Sequence, residues 1–187
     1  MIDPSNIINY DRTSVEIEGL FIFTVAVAGK NAKTTAKAVN NFLESRGSLS
    51  PFEYIRGLIN RNLLLAELKK HHLGNYTKLQ HVYSTAVNSY KSGLELKTIS
   101  RDDLCKIKYV KMKTASCFLG WVLPDVKYAM LDVHILRYLR GIYGDIIPKT
   151  TPQNIKKYLE IEQLFLIECG DNNPAKFDLE IWRNACR

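Results

Sequence analysis

From Val15 to the C-terminus the chain offers one helical hydrophobic pattern after another, with no run between them that alternates apolar and polar like a half-buried strand. For 187 residues that succession predicts an all-α architecture of about ten helices. A polar leader over 3–11 precedes an apolar stretch over 15–28, read as the first helix, although Phe21, Ile22, Phe23, Val25 and Val27 would also suit a buried strand. A second helix follows over 33–46, with Ala36, Val39, Phe42 and Leu43 at helical spacing and Gly47 closing it. Ser50-Pro51 supplies a cap and a first-turn proline for a helix over 51–61. Others are expected over 63–72 and, beyond the stop at Gly74, over 76–91. Ser100 with Asp102 and Asp103 opens a short helix to 107, because a hydroxyl caps and acids suit the positive end of the dipole. The last four are read over 112–122, 130–143 (after the break at Pro124-Asp125), 152–169 (opened by Thr151-Pro152) and 174–185.

Hydrophobic residues at 46% and charged residues at 24% permit a real core, so disorder is not the default expectation. The formal net charge of +7 favours a polyanionic partner, since neutralised phosphates release condensed counterions. Cys105, Cys117, Cys169 and Cys186 contain no C-x-x-C pair, which argues against a metal knuckle or iron–sulfur run and for free thiols in a reducing compartment. The apolar run over 19–29 is too short to span a bilayer. The expectation is a protein of the cytoplasm or nucleoid, or of the nucleus in a eukaryote, not secreted, monomeric, without cofactor or metal and without a membrane partner.

Between Leu104 and Thr114 stand Lys106, Lys108, Lys111 and Lys113, with no acid among them. A short helix, a tight turn and a second helix joined by this basic segment would aim free N–H groups and cations at a phosphate, whereas read by itself the segment is sooner a solvated lysine-rich loop. The thirty residues that follow favour the first reading. The run Ile107-Lys-Tyr-Val-Lys-Met-Lys113-Thr-Ala115 and the later Leu131-Asp-Val-His-Ile135 resemble the helix-hairpin-helix DNA glycosylase superfamily, in particular its 8-oxoguanine glycosylase/lyases. Their hairpin runs L-P-G-V-G-x-K-x-A before a D-x-H-type segment, and the separation 132 − 113 = 19 is also theirs. In layout the likeness covers most of the chain; in specific residues it covers about Ile107 to Arg137.

The resemblance implies a helical unit of two subdomains flanking a cleft, one over 30–137 with its hairpin at 104–122, the other from 1–29 and 138–187. Lysine at 113 falls on the family's Schiff-base lysine and Asp132 on its catalytic aspartate. A carboxylate stabilises the positive charge that builds on deoxyribose as the glycosidic bond breaks, and a neutral amine attacks the sugar carbon to open the way to β-elimination. Taken singly, Lys113 is a surface lysine and Asp132 a helix cap; as a spaced pair inside the hairpin they read as catalytic. The likeness further implies DNA contacts from Lys108, Tyr109, Val110, Lys111, Met112, His134 and Arg137. It places Cys117, one helical turn beyond Lys113, against an extruded base. More loosely, Ala28, Gly29 and Lys30 fall at the same pocket, with Trp182 as its aromatic platform and Phe177 in reserve. The implied partner is double-stranded DNA carrying a damaged or modified base, 8-oxoguanine first, and the implied activity is excision with strand nicking.

Three departures qualify this. Tyr109 and Lys111 occupy the hairpin's glycine positions, where a side chain obstructs the turn or the approach of phosphate. Either the turn has another shape, with Lys111 compensating by charge, or DNA binding is weakened or redirected. The iron–sulfur signature of the endonuclease III branch is absent, and no glutamine wedge follows the first helix. A different or hypermodified base, a non-catalytic DNA-binding module and a helical protein-interaction domain are the competing readings.

Overall fold

The structure is a computed structural model that describes residues 1–185. Among them there are eleven α-helices and no strand. Their order is α1 (Ser14–Val27), α2 (Ala32–Glu44), α3 (Pro51–Asn60), α4 (Leu64–Lys70), α5 (Tyr76–Ser89), α6 (Gly93–Thr98), α7 (Arg101–Lys106), α8 (Met112–Val122), α9 (Val133–Tyr143), α10 (Ile155–Cys169) and α11 (Pro174–Ala185).

Helix α1 resolves the helix-or-strand ambiguity. Every residue from Ile17 to Ala26 is buried, so its all-round apolar character marks a central helix rather than an amphipathic one. A capping box of Thr13 and Glu16 starts it, and α2, α3, α5, α6 and α8 pack around it. The one acid inside this core, Glu18, is 2% exposed and answers two helix starts: its carboxylate accepts from the backbone N–H of Phe52 at 3.0 Å and of Gly93 at 3.0 Å.

A second apolar cluster joins α9 and α10 through Leu136, Leu139, Tyr158, Ile161 and Phe165, reached from the first by Met112 of α8. Buried Glu162 ties the two regions: it accepts from Arg101 of α7 at 2.6 Å and from the Ala129 backbone N–H at 2.8 Å. Arg101 also lies 4.0 Å from the centre of the Tyr128 ring.

Three elements differ from the sequence reading. Helix α6 has no counterpart there, since its start depends on Glu18, far away in the chain. The helix expected from residue 130 begins at Val133, because the Asp132 carboxylate caps it. The helix expected from Pro152 begins at Ile155, with Asn154 as its cap. The thiols of Cys105, Cys117 and Cys169 are unpaired, and Cys186 lies outside the described residues. No described helix is long and apolar enough to cross a membrane.

Candidate active site

The basic segment forms a tight hairpin between α7 and α8, in which the Ile107 and Val110 N–H groups bond back to the carbonyls of Leu104 and Ile107 at 3.1 and 2.9 Å. Val110 and Met112 are 3% and 8% exposed, so their side chains clamp the hairpin to the two apolar clusters. The two glycine positions are not equivalent. Lys111 has φ −117° and ψ 174°, extended backbone that any residue adopts, and its ammonium bonds to Gln153 Oε1 at 2.9 Å. Tyr109 has φ +75°, the left-handed conformation that glycine takes freely and a tyrosine only at a cost of about 1–2 kcal/mol. The turn therefore keeps a glycine-type backbone with a tyrosine in it. As the N-cap of α8, Lys111 offers no side-chain acceptor, which leaves the first N–H groups of that helix open to an anion.

Lys113, second residue of α8, is half-buried and lines a cavity of about 1320 Å³. That volume exceeds the roughly 300–1,000 Å³ of an ordinary small-molecule pocket. Asp132 lines the same cavity from the start of α9. Its Oδ1 accepts from the N–H groups of His134 at 2.8 Å and Ile135 at 3.0 Å, so Oδ2 is left without a protein donor among the described residues. Cys117 is 8% exposed in the cavity wall, and burial pushes its thiol up to about 12, with Lys113 opposing and Asp178 and Asp132 reinforcing the rise. It is a packing surface, inert as a nucleophile.

The remaining wall comes from well-separated parts of the chain. Ala28, Gly29 and Lys30 line it from the α1–α2 junction, where Gly29 takes φ +76°. The Lys30 ammonium donates to the Leu73 carbonyl, so it fastens this junction to the turn before α5. His134 lines the cavity too, and its Nδ1 is buried without a partner among the described residues. Trp182 of α11 reaches the cavity. Phe177, held in reserve for the base, turns instead into the second cluster, 5.8 Å from Tyr138 and 5.6 Å from Phe165 between ring centres. Arg137 is exposed on α9, outside the cavity wall.

No family model matches the sequence, and no curated protein does. Two solved structures match. One is an 8-oxoguanine DNA glycosylase from Methanocaldococcus jannaschii, 26% identical, with a TM-score of 0.68 over 96% of this chain and 81% of that one. The other is the 8-oxoguanine glycosylase/lyase of the same organism in complex with a 15mer DNA containing 8-oxoguanine, 27% identical, with a TM-score of 0.67 over 92% of this chain and 81% of that one. Over nearly its whole length, this chain shares the fold of these 8-oxoguanine DNA glycosylases.

Within this glycosylase fold the cavity contains two titratable groups that the sequence reading did not assign to the site. Asp178 stands one helical turn before Trp182 on α11 and lines the same wall. Burial first, then the charge of Asp132, raises its carboxyl well above the usual range, with Lys113 opposing. Lys78, in the first turn of α5, faces the cavity as well, and burial followed by the charge of Lys113 lowers its ammonium below the ordinary lysine value. Helical spacing from Trp182 could have singled out Asp178. Lys78 closes the segment Gly74-Asn75-Tyr76-Thr77-Lys78, which resembles a G-x-Y-x-K-type segment of the same superfamily but which a helix stop followed by a helix start also explains. Among the described residues, no group of three or more His, Cys, Asp or Glu is placed to hold a metal ion.

Proposed function

We propose that this chain is a DNA glycosylase with associated lyase activity, acting as one catalytic unit on duplex DNA that carries a damaged or modified base, 8-oxoguanine being the first candidate. The observation that carries the reading is that Lys113 and Asp132 line one cavity of a glycosylase fold, beside a hairpin whose open N–H groups suit a phosphate. The similar structure bound to 8-oxoguanine DNA supplies the candidate base.

In this mechanism the target nucleotide is extruded into the cavity. As the C1′–N bond lengthens, Oδ2 of Asp132 faces the positive charge that gathers on the sugar. The Lys113 amine forms a bond to C1′ while the base leaves with the bonding electron pair, and a proton moves from the new ammonium toward the departing base. Ring opening gives a Schiff base at C1′. Transfer of a C2′ proton to solvent then forms the C2′–C3′ double bond, breaks the C3′–O bond to expel the 3′ phosphate, and nicks the strand. Burial and the charge of Asp132 raise the Asp178 carboxyl well above its usual range, which favours a neutral donor in the cavity over a second anion competing for the developing charge.

Duplexes carrying single defined lesions, incubated with the protein and borohydride, test the reading. A covalent protein–DNA complex is expected with at least one lesion and is lost in Lys113→Gln. No trapping with any lesion, or trapping undiminished in that variant, sinks the mechanism. For Asp132→Asn, excision is expected to fall by about 10²–10³-fold with DNA binding retained.

A further inference from the structure

Tyr109 is in an unfavourable backbone conformation that its own ring does not repay within the fold. At φ +75° it adopts a geometry that is an outlier for a bulky residue, yet it is 40% exposed and leaves the core clamp to its neighbour Val110. The ring meets two partners at the surface. His81 of α5 stands edge-on to it, with ring centres 5.6 Å apart at 88°, and the Lys108 ammonium lies 5.2 Å from the ring centre. The tyrosine hydroxyl bonds to nothing else among the described residues. Strain kept at an exposed side chain points to a contact outside the fold.

The surroundings say what kind of contact. The hairpin carries Lys108 and Lys111 and precedes the uncapped start of α8, a setting for a phosphate. On the other side of Tyr109, His81 belongs to a shallow groove of about 380 Å³ along α5, formed by Thr77, Gln80, His81, Ser84, Thr85 and Asn88. That stripe has hydroxyl, amide and imidazole groups and no acid, a surface suited to hydrogen bonds with a sugar–phosphate strand.

We propose that Tyr109 replaces the glycine grip of the hairpin with a side-chain grip. Its hydroxyl donates to a phosphate oxygen of the bound DNA strand, its ring lies against the adjoining deoxyribose, and His81 fixes the ring so that the strand continues along the polar stripe of α5. The proposal rests on the glycosylase reading of the preceding section. It reverses the ordinary expectation for this position, where a glycine lets phosphate approach the backbone and a ring obstructs it.

The test measures binding of an undamaged duplex by fluorescence anisotropy between 50 and 200 mM salt, roughly the range over which phosphate contacts reveal themselves, together with unfolding in denaturant. Tyr109→Gly is expected to bind about tenfold more weakly, as for loss of one hydrogen bond to a charged group. Its salt slope should stay unchanged, because a neutral donor releases no counterion, and its unfolding midpoint should not fall. His81→Ala is expected to weaken binding a few-fold in the parent, about the loss of one neutral contact, and not at all in Tyr109→Gly. Binding by Tyr109→Gly as tight as or tighter than that of the parent overturns the proposal, and so does weaker binding with a lowered unfolding midpoint. An undiminished His81→Ala effect in the glycine background overturns the positioning role of His81. A parent protein with no affinity for duplex overturns the glycosylase reading as well, so the two failures are distinguishable.

Discussion

Asp132 holds two positions with one carboxylate. Oδ1 caps α9 through His134 and Ile135 while the residue lines the cavity, so in the proposed mechanism the cap also fixes the group that faces the sugar. Substitution separates the two. Asparagine caps a helix as well as aspartate, so Asp132→Asn should keep its stability while losing excision; Asp132→Ala should also lose about 1 kcal/mol in urea unfolding. Asp178 has a consequence in pH. Its folded-state pKa is raised, so the folded protein holds a proton that the unfolded chain releases above about 4, and stability falls as pH climbs from there toward the folded pKa. Asp178→Asn, which is neutral throughout, should be more stable than the parent at pH 7 and equal to it near pH 3, as urea titrations at a series of pH values would show. Equal stability at both pH values would refute the assignment of a buried proton. Cys117 and Trp182 were legible as cavity residues; Phe177 was not excluded until packing turned its ring into the second cluster.

At the scale of elements, α6 shows why local pattern is insufficient. Gly93 starts it against α1 so closely that a Cβ there would meet the Ser14 carbonyl oxygen at 2.1 Å, and its N–H is satisfied by Glu18. Gly93→Ala should therefore destabilise the fold by about 3 kcal/mol or more, read as a fall in the denaturation midpoint at constant slope. By contrast α8 begins and ends where its sequence pattern places it, at Met112 and Val122, because its signals are its own: an apolar face and the proline two residues beyond its end. The hairpin before it was legible in position and charge. That Tyr109 keeps the left-handed turn while Lys111 needs no special backbone is visible only from the torsion angles.

For the whole molecule, the cavity takes walls from both apolar clusters, so its shape depends on what couples them. The Arg101–Glu162 pair, with side chains 11% and 3% exposed and the Ala129 N–H on the same carboxylate, is that coupling. Removing one partner strands the other as a buried charge or orphans a buried N–H. Glu162→Ala is expected to cost about 3–5 kcal/mol in denaturant unfolding, whereas replacing both with apolar residues of similar volume should recover part of the loss. If Glu162→Ala unfolds at the parental midpoint, the clusters are joined by something else. The +7 net charge acts at this scale too, drawing the protein to polyanions before any specific contact forms.

The sequence by itself determined the helical class and most helix boundaries, and it singled out Lys113 and Asp132, which line one cavity, because these depend on periodicity, on caps within a few residues of the helices they serve, and on a motif whose residues stand close together in the chain. Only the tertiary structure decided that Glu18 starts α6, that Lys78 and Asp178 line one cavity from distant parts of the chain, that Phe177 belongs to the core, and that Tyr109 carries a backbone penalty with an exposed ring. The reason is common to all four. Desolvation, charge coupling and close backbone approach act between atoms that are neighbours in space, and no local pattern encodes a neighbour that the chain brings in from many residues away.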